Sequence, residues 1–278
     1  MPIISLPHNP TLQGMARTHL DVIYSTATGT PLKAVLFTPW NDAIKNRPAI
    51  VFVQGSGWTC PDLNYEIPQL AELARAGYVV LTVTHRSRLD GHPFPAFLQD
   101  VKCAIRFLRA NAEKYGVDPE RIGIYGTSSG GNTAMLVALT GDDPRYKTEE
   151  YSEYSDSVQC MVQCFGPSWL EKMGITPNLR ADMVKQMTGD ADPWQVMHDM
   201  SPCCIIEKDK QYPPMLLAHG DKDELVPFEQ CQLMYDAMQA IGQEPCMIRV
   251  EGAPHEGSFW SGELIRCIKA FLDAHLLW

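Results

Sequence analysis

One pentapeptide, Gly126-Thr127-Ser128-Ser129-Gly130, restricts this chain more than any other stretch. A G-x-S-x-G pattern sets its serine on a sharp turn only where a strand ends just before it and a helix starts just after it. Both flanks are present. Arg121-Ile122-Gly123-Ile124-Tyr125 is a short apolar run suited to a buried strand, and Asn132 to Leu139 is apolar and rich in helix formers. Glycines at 126, 130 and 131 let the backbone turn tightly and let the helix approach the strand. In that geometry the Ser128 hydroxyl is exposed, and the Ser129 N–H at the helix start points where an oxyanion would form.

The rest of the chain supplies a framework for such a turn. Residues 19 to 38 read as a hairpin or two successive strands, and Ala49-Ile50-Val51-Phe52-Val53 reads as a central strand covered on both faces. Tyr65 to Ala76 has helical spacing and stops at Gly77, and Val79 to Thr84 is the next strand. Phe97, Val101, Ala104, Ile105, Leu108 and Ala112 then mark one face of a helix. Later strands fall at Val158 to Phe165, Met215 to His219 and Met247 to Val250, with helices from Pro227 to Ile241 and from Trp260 to Leu276. Strand and helix in alternation imply parallel strands joined by right-handed crossovers. The expected fold is α/β, with a mostly parallel central sheet and helices on both faces, in a single domain over 1–278. Residues 166–214 break the alternation with short helical stretches and large side chains, among them Trp169, Met187, Trp194 and Met197. This predicts a small helical cap over a pocket. The alternative is a satellite packed on the core.

Composition narrows the partners. The formal net charge of −10 argues against nucleic acid and anionic membrane surfaces, which need clustered Lys and Arg. No apolar run reaches membrane-spanning length, and Met1 to Pro7 lacks a basic n-region and a long apolar core. A cytoplasmic location is the expectation that follows. The nine cysteines are odd in number and scattered, and show neither a disulfide framework nor paired zinc-ligand spacing. Cys103, Cys231 and Cys267, on amphipathic helices, are expected to be buried reduced thiols.

Acyl transfer needs a nucleophile, a base and a group that orients the base. His255 lies on a Gly- and Pro-rich loop just past a strand, where parallel-sheet enzymes place reactive groups, and Asp223 lies on the loop after the preceding strand. The order Ser128, Asp223, His255 is that of the α/β hydrolases. Of the other histidines, His219 ends a strand and is read as structural. Asp221 sits hard against the strand end and is read as a turn tie, so Asp223 is preferred as the acid.

Three segments carry a specific resemblance. Gln54-Gly55-Ser56-Gly57-Trp58 is similar to a His-Gly-Gly-Gly-Trp oxyanion loop. His92-Pro93-Phe94-Pro95, with Asp100-Val101-Lys102 and Arg106-Phe107-Leu108-Arg109, matches a stretch before the elbow. Gly126 to Gly131 and Asp223 to Val226 complete it. The chain resembles an α/β-hydrolase-fold carboxylesterase of the bifunctional feruloyl/acetylxylan esterase family and, more distantly, the hormone-sensitive-lipase-like esterases. The resemblance implies oxyanion donors at Ser56, Gly57 and Ser129, although Gln54 stands where the family has His and Ser56 where it has the middle Gly. It implies hydrolysis of small acyl or hydroxycinnamoyl esters, sugars among the alcohols, with Trp58 as an aromatic wall. The partner would be a small-molecule ester. No metal or organic cofactor is expected, and the oligomeric state is left open. An aryl-formamidase or small peptidase would use the same three residues on an amide. A non-catalytic ligand-binding member of the fold is the third alternative.

Overall fold

In the computed structural model, which describes residues 3–277, a turn-rich segment folds β1 (Ala16–Ser25) back on β2 (Leu32–Pro39) as an antiparallel pair. The chain then alternates: β3 (Arg47–Val53), α1 (Ile67–Arg75), β4 (Val79–Val83), α2 (Ala96–Ala110), the one-turn α3 (Ala112–Tyr115), β5 (Val117–Thr127) and α4 (Ser129–Leu139). After these come β6 (Cys160–Cys164), α5 (Ala181–Thr188), α6 (Pro193–Asp199), β7 (Met215–Gly220), α7 (Glu229–Ala240), β8 (Cys246–Val250) and α8 (Gly262–Leu276). All eight strands form one sheet in the order β1-β2-β4-β3-β5-β6-β7-β8. β2 also runs antiparallel to β4, and every pairing from β4 to β8 is parallel, as the alternating sequence requires.

The two faces of the sheet are sorted by the two-residue strand period. On β3, Ala49, Val51 and Val53 join a core with Phe97, Val101 and Leu108 of α2, the apolar α4, and Cys231, Met234 and Met238 of α7. Ile50 and Phe52 point the other way, into a second core with Leu70 and Leu73 of α1 and Leu264, Ile268, Leu272 and Leu276 of α8. Each fully buried Val, Leu, Ile, Phe or Met among them contributes about 1.5–3 kcal/mol by leaving water. Helix α4 is buried along its whole length, which explains why its sequence is apolar all round rather than along one stripe.

The acidic segment after α4 is anchored by buried charge. Lys102 and Arg106 of α2 both contact the Asp156 carboxylate, and none of the three is exposed. Between β6 and β7, Val184, Met187, Val196, Met197 and Met200 are buried in the same core as α2 and α4, while Trp194 is exposed. All nine cysteines are free, and Cys103 and Cys231 are buried. Cys267 corrects the sequence-based expectation: it is exposed, on the outer side of α8. Among the described residues, no helix is long and apolar enough to cross a membrane.

Candidate active site

Strand β5 and helix α4 meet at the elbow. Ser128 has φ 51° and ψ −123°, a strained conformation for a residue with a side chain. The surroundings impose it. A Cβ on Gly126 would lie 2.1 Å from the Gly130 carbonyl oxygen, and one on Gly130 would lie 2.0 Å from the Val53 carbonyl oxygen. Strand, turn and helix can approach this closely only with glycine at both positions. The Ser128 N–H donates to the Cys164 carbonyl at 2.9 Å, tying the elbow to β6.

Three loops at the C-terminal ends of β5, β7 and β8 converge there. His255 Nε2 is 3.0 Å from Ser128 Oγ, and His255 Nδ1 is 2.6 Å from Asp223 Oδ2. Phe165 packs on the imidazole, ring centroids 4.6 Å apart. The structure therefore brings Ser128, His255 and Asp223 into one hydrogen-bond succession. Asp221 lies outside it: its carboxylate takes Arg249 and the Gly252 N–H, tying β7 to the loop after β8.

Asp223 is held by more than His255. Its Oδ1 accepts the N–H groups of Leu225 and Val226 at 2.9 and 2.8 Å. Its Oδ2 also lies 3.2 Å from Nε2 of the fully buried His219. That nitrogen sits 2.8 Å from the Val226 carbonyl, a pure acceptor, so it carries the proton and shares it between the two oxygens. Burial alone would raise the Asp223 pKa. The hydrogen bonds from His219, His255 and Val226 outweigh it and hold the carboxyl well below the usual carboxylate range. Sequence reasoning missed this role of His219. Its only signal was the spacing of four residues from Asp223 across a strand end.

The Gln54–Trp58 turn follows β3 and lies beside the elbow. The Gly55 N–H donates to Thr127 Oγ1 at 2.9 Å and the Ser56 N–H to Ser129 Oγ at 2.8 Å. Both residues flanking the candidate nucleophile thus grip this turn through their side chains. For Ser129 the sequence had suggested a use for the N–H alone. One of the three expected donors, the Ser56 N–H, is consequently occupied. The Gly57 N–H makes no hydrogen bond among the described residues, and the Ser129 N–H, first in α4, has no partner within the helix. Gln54 Oε1 accepts the Asp62 N–H at 2.7 Å and so closes the loop that leads to α1. Arg88 Nε donates to the Gly57 carbonyl at 2.8 Å from the other side.

Trp58 requires a correction. It is only 3% exposed, its indole N–H donates to Asn132 Oδ1 at 3.2 Å, and its ring packs near Phe97. The backbone at φ 58° turns the side chain inward beneath α4, so it braces the turn and offers no wall to a ligand. A cleft of about 580 Å³ lined by Thr11, Arg47, Arg75 and Lys269 opens near the start of β3, and none of Ser128, Asp223 or His255 lines it.

This elbow, with its facing turn and its two loop residues, has counterparts. The family model described as BD-FAE matches residues 36–238. The chain belongs to the BD-FAE family. The α/β-hydrolase carboxylesterase likeness read from its motifs holds accordingly. Esterase LipC of Mycobacterium tuberculosis is 31% identical over 218 residues, which are 76% of this chain and 53% of LipC. The probable carboxylic ester hydrolase LipM of the same organism is 28% identical over 73% of this chain and 48% of its own. The chain thus spans about half the length of these curated relatives. Among solved structures, a truncated carbohydrate esterase from gut microbiota superposes with a TM-score of 0.79 at 26% identity, covering 94% of this BD-FAE chain and 97% of that one. Esterase 2 of Thermogutta terrifontis in its propionate-bound form gives a TM-score of 0.77 at 25% identity, covering 95% and 96%.

Proposed function

We propose that the protein is a serine carboxylesterase that hydrolyses esters of short acyl groups, sugar esters among them, through an acyl-enzyme. The reading is carried by the hydrogen-bond succession Asp223–His255–Ser128 beside a turn with an unpaired Gly57 N–H. His255 Nε2 takes the Ser128 proton as Oγ attacks the ester carbonyl. Asp223, kept ionised by its four donors, holds the Nδ1–H tautomer and stabilises the imidazolium. The N–H groups of Gly57 and Ser129 receive the charge on the carbonyl oxygen. His255 gives the proton to the leaving alcohol, then takes one from a water that attacks the acyl carbonyl, and returns it to Ser128 Oγ as the bond to the acyl group breaks and the acid leaves.

The substrate class rests on what surrounds the Gln54–Trp58 turn and on relatives. Arg88 joins the Gly57 carbonyl to Gln186 of α5, and the Phe94 N–H donates to the Met187 carbonyl at 2.8 Å. In this reading residues 166–214 act as a cap that limits acyl length. Propionate bound to the Thermogutta esterase, and the other neighbour being a carbohydrate esterase, fit short acyl groups on sugars. The test is a hydrolysis screen over p-nitrophenyl acetate, butyrate and octanoate, acetylated and feruloylated sugars, and an aryl formamide. Turnover is expected to be highest from acetyl to butyryl and to fall sharply by octanoyl. A preference for octanoyl over acetyl would overturn the cap reading, and formamide turnover above every ester would replace the esterase with an amidase.

A further inference from the structure

Glu66 immediately precedes α1, and its side chain is 6% exposed. It is a buried acid that the ester chemistry above does not use. Its Oε1 has no hydrogen-bond partner among the described residues. The Thr127 hydroxyl meets the same carboxyl group. That hydroxyl oxygen already accepts the Gly55 N–H at 2.9 Å, so its single proton is left for Glu66. A continuous path therefore runs from Glu66 through Thr127, the residue before the nucleophile, into the turn that presents the Gly57 N–H.

The charged neighbours of Glu66 are both acidic. Glu256 follows His255 directly, and Asp62 lies on the loop leading to α1. Glu256 accepts the Tyr65 O–H at 3.3 Å. The remaining titratable groups close to Glu66 are Tyr65 beside it in sequence, Tyr125 of β5 and Cys164 of β6. An ionised Glu66 would face two carboxylates and leave an anionic oxygen buried without a donor, a costly arrangement. Burial first, then Glu256 and Asp62, push its carboxyl up to about 8.

We propose that Glu66 is a positioning residue that works as a neutral carboxylic acid, holding the Gln54–Trp58 turn through Thr127 so that the Gly57 N–H stays aimed at the oxyanion. When it ionises, its negative charge lies behind the elbow, where it opposes the developing oxyanion and pulls Thr127 out of register with Gly55. This rests on the esterase reading, since it concerns the same oxyanion donors.

The sign of the linked stability follows. The unfolded chain loses the Glu proton near ~4.3. The folded chain keeps it to about 8. Between those limits the native state holds the extra proton, so folding stability declines as pH rises and the decline ends above the folded value.

The experiment compares wild type with Glu66→Gln, an uncharged near-isostere, by kcat and KM on p-nitrophenyl acetate at pH 7 and 9.5 and by Tm from pH 5 to 9. In wild type, kcat is expected to fall about tenfold between the two pH values with KM little changed, a fraction of the ~10²–10³ lost with a whole donor. In Glu66→Gln that fall is expected to shrink below about twofold, and Tm is expected to gain on wild type as pH rises, in line with the linkage. Equal pH ratios in the two active enzymes, or parallel Tm curves, would overturn the proposal. A wild type that turns over no ester would instead overturn the esterase reading. Should Glu66→Gln fail to fold, Thr127→Val and Thr127→Ser take its place. The valine is expected to lower kcat without raising KM and the serine to restore it. A Thr127→Val enzyme with wild-type kcat and pH ratio would contradict the path.

Discussion

Asp223 and Asp221 are two residues apart and do different work because of what reaches them. Asp223 accepts from His255, His219, Leu225 and Val226, whereas Asp221 ties Arg249 to the turn after β8. Asp223→Asn should therefore lower kcat on the order of 10⁴-fold, by favouring the wrong imidazole tautomer, and Asp221→Asn far less. Steady-state kinetics of the two variants decide this, and an exchange of effects would reverse the assignment. His219→Phe removes one donor from Asp223 Oδ2. A hydrogen bond to a charged group contributes about 1.5–3 kcal/mol, so kcat should fall by about tenfold or more with KM little changed. An unaltered kcat in the folded variant would leave His219 a packing residue only.

At the scale of elements, the turn after β3 and the start of α4 form one unit, because Ser129 Oγ accepts the Ser56 N–H. Ser129→Ala should lower kcat about tenfold while KM changes little, since the turn loses a tether and not a substrate contact. Kinetics of the folded variant check this, and full activity would show that the turn holds its place without the Ser129 tether. The elements themselves were legible in the sequence. Unbroken apolar runs became two-faced strands such as β3, and the G-x-S-x-G glycines became the close contacts of the elbow. Ser128, Asp223 and His255 were legible through chain order and loop position. Trp58 was not, because an aromatic after a glycine turn reads alike whether it faces a ligand or the underside of α4; only φ at that residue and Asn132, distant in sequence, decide. Glu66 reads as a surface acid at a helix start, and the groups that meet its carboxyl, Thr127 and Glu256, come from other elements. Cys267 fell on the exposed side of α8 because a one-residue step in helical phase moves a side chain by about 100°.

At the scale of the molecule, the mostly parallel sheet gathers Ser128, Asp223 and His255 at one end, and buried charge anchors a connecting segment. Asp156 bridges Lys102 and Arg106 where none of them meets water. Asp156→Ala should destabilise the fold by about 3–5 kcal/mol, because it strands two buried cations. Urea unfolding measures the change, and a loss below about 1 kcal/mol would mean that water reaches the cluster. Acid stability also has a local source. The Asp223 pKa is depressed on folding, so its contribution is complete above the unfolded value near ~3.9 and is lost as pH falls toward the folded one. The esterase assignment itself comes down to one atom, Ser128 Oγ. Treating the protein with a fluorophosphonate and mapping the modified peptide by mass spectrometry tests it most directly. A single adduct on Ser128, absent from Ser128→Ala and formed more slowly in Asp223→Asn, is the expected result; an adduct on Ser129 or a cysteine, or none at all on an active protein, would contradict it.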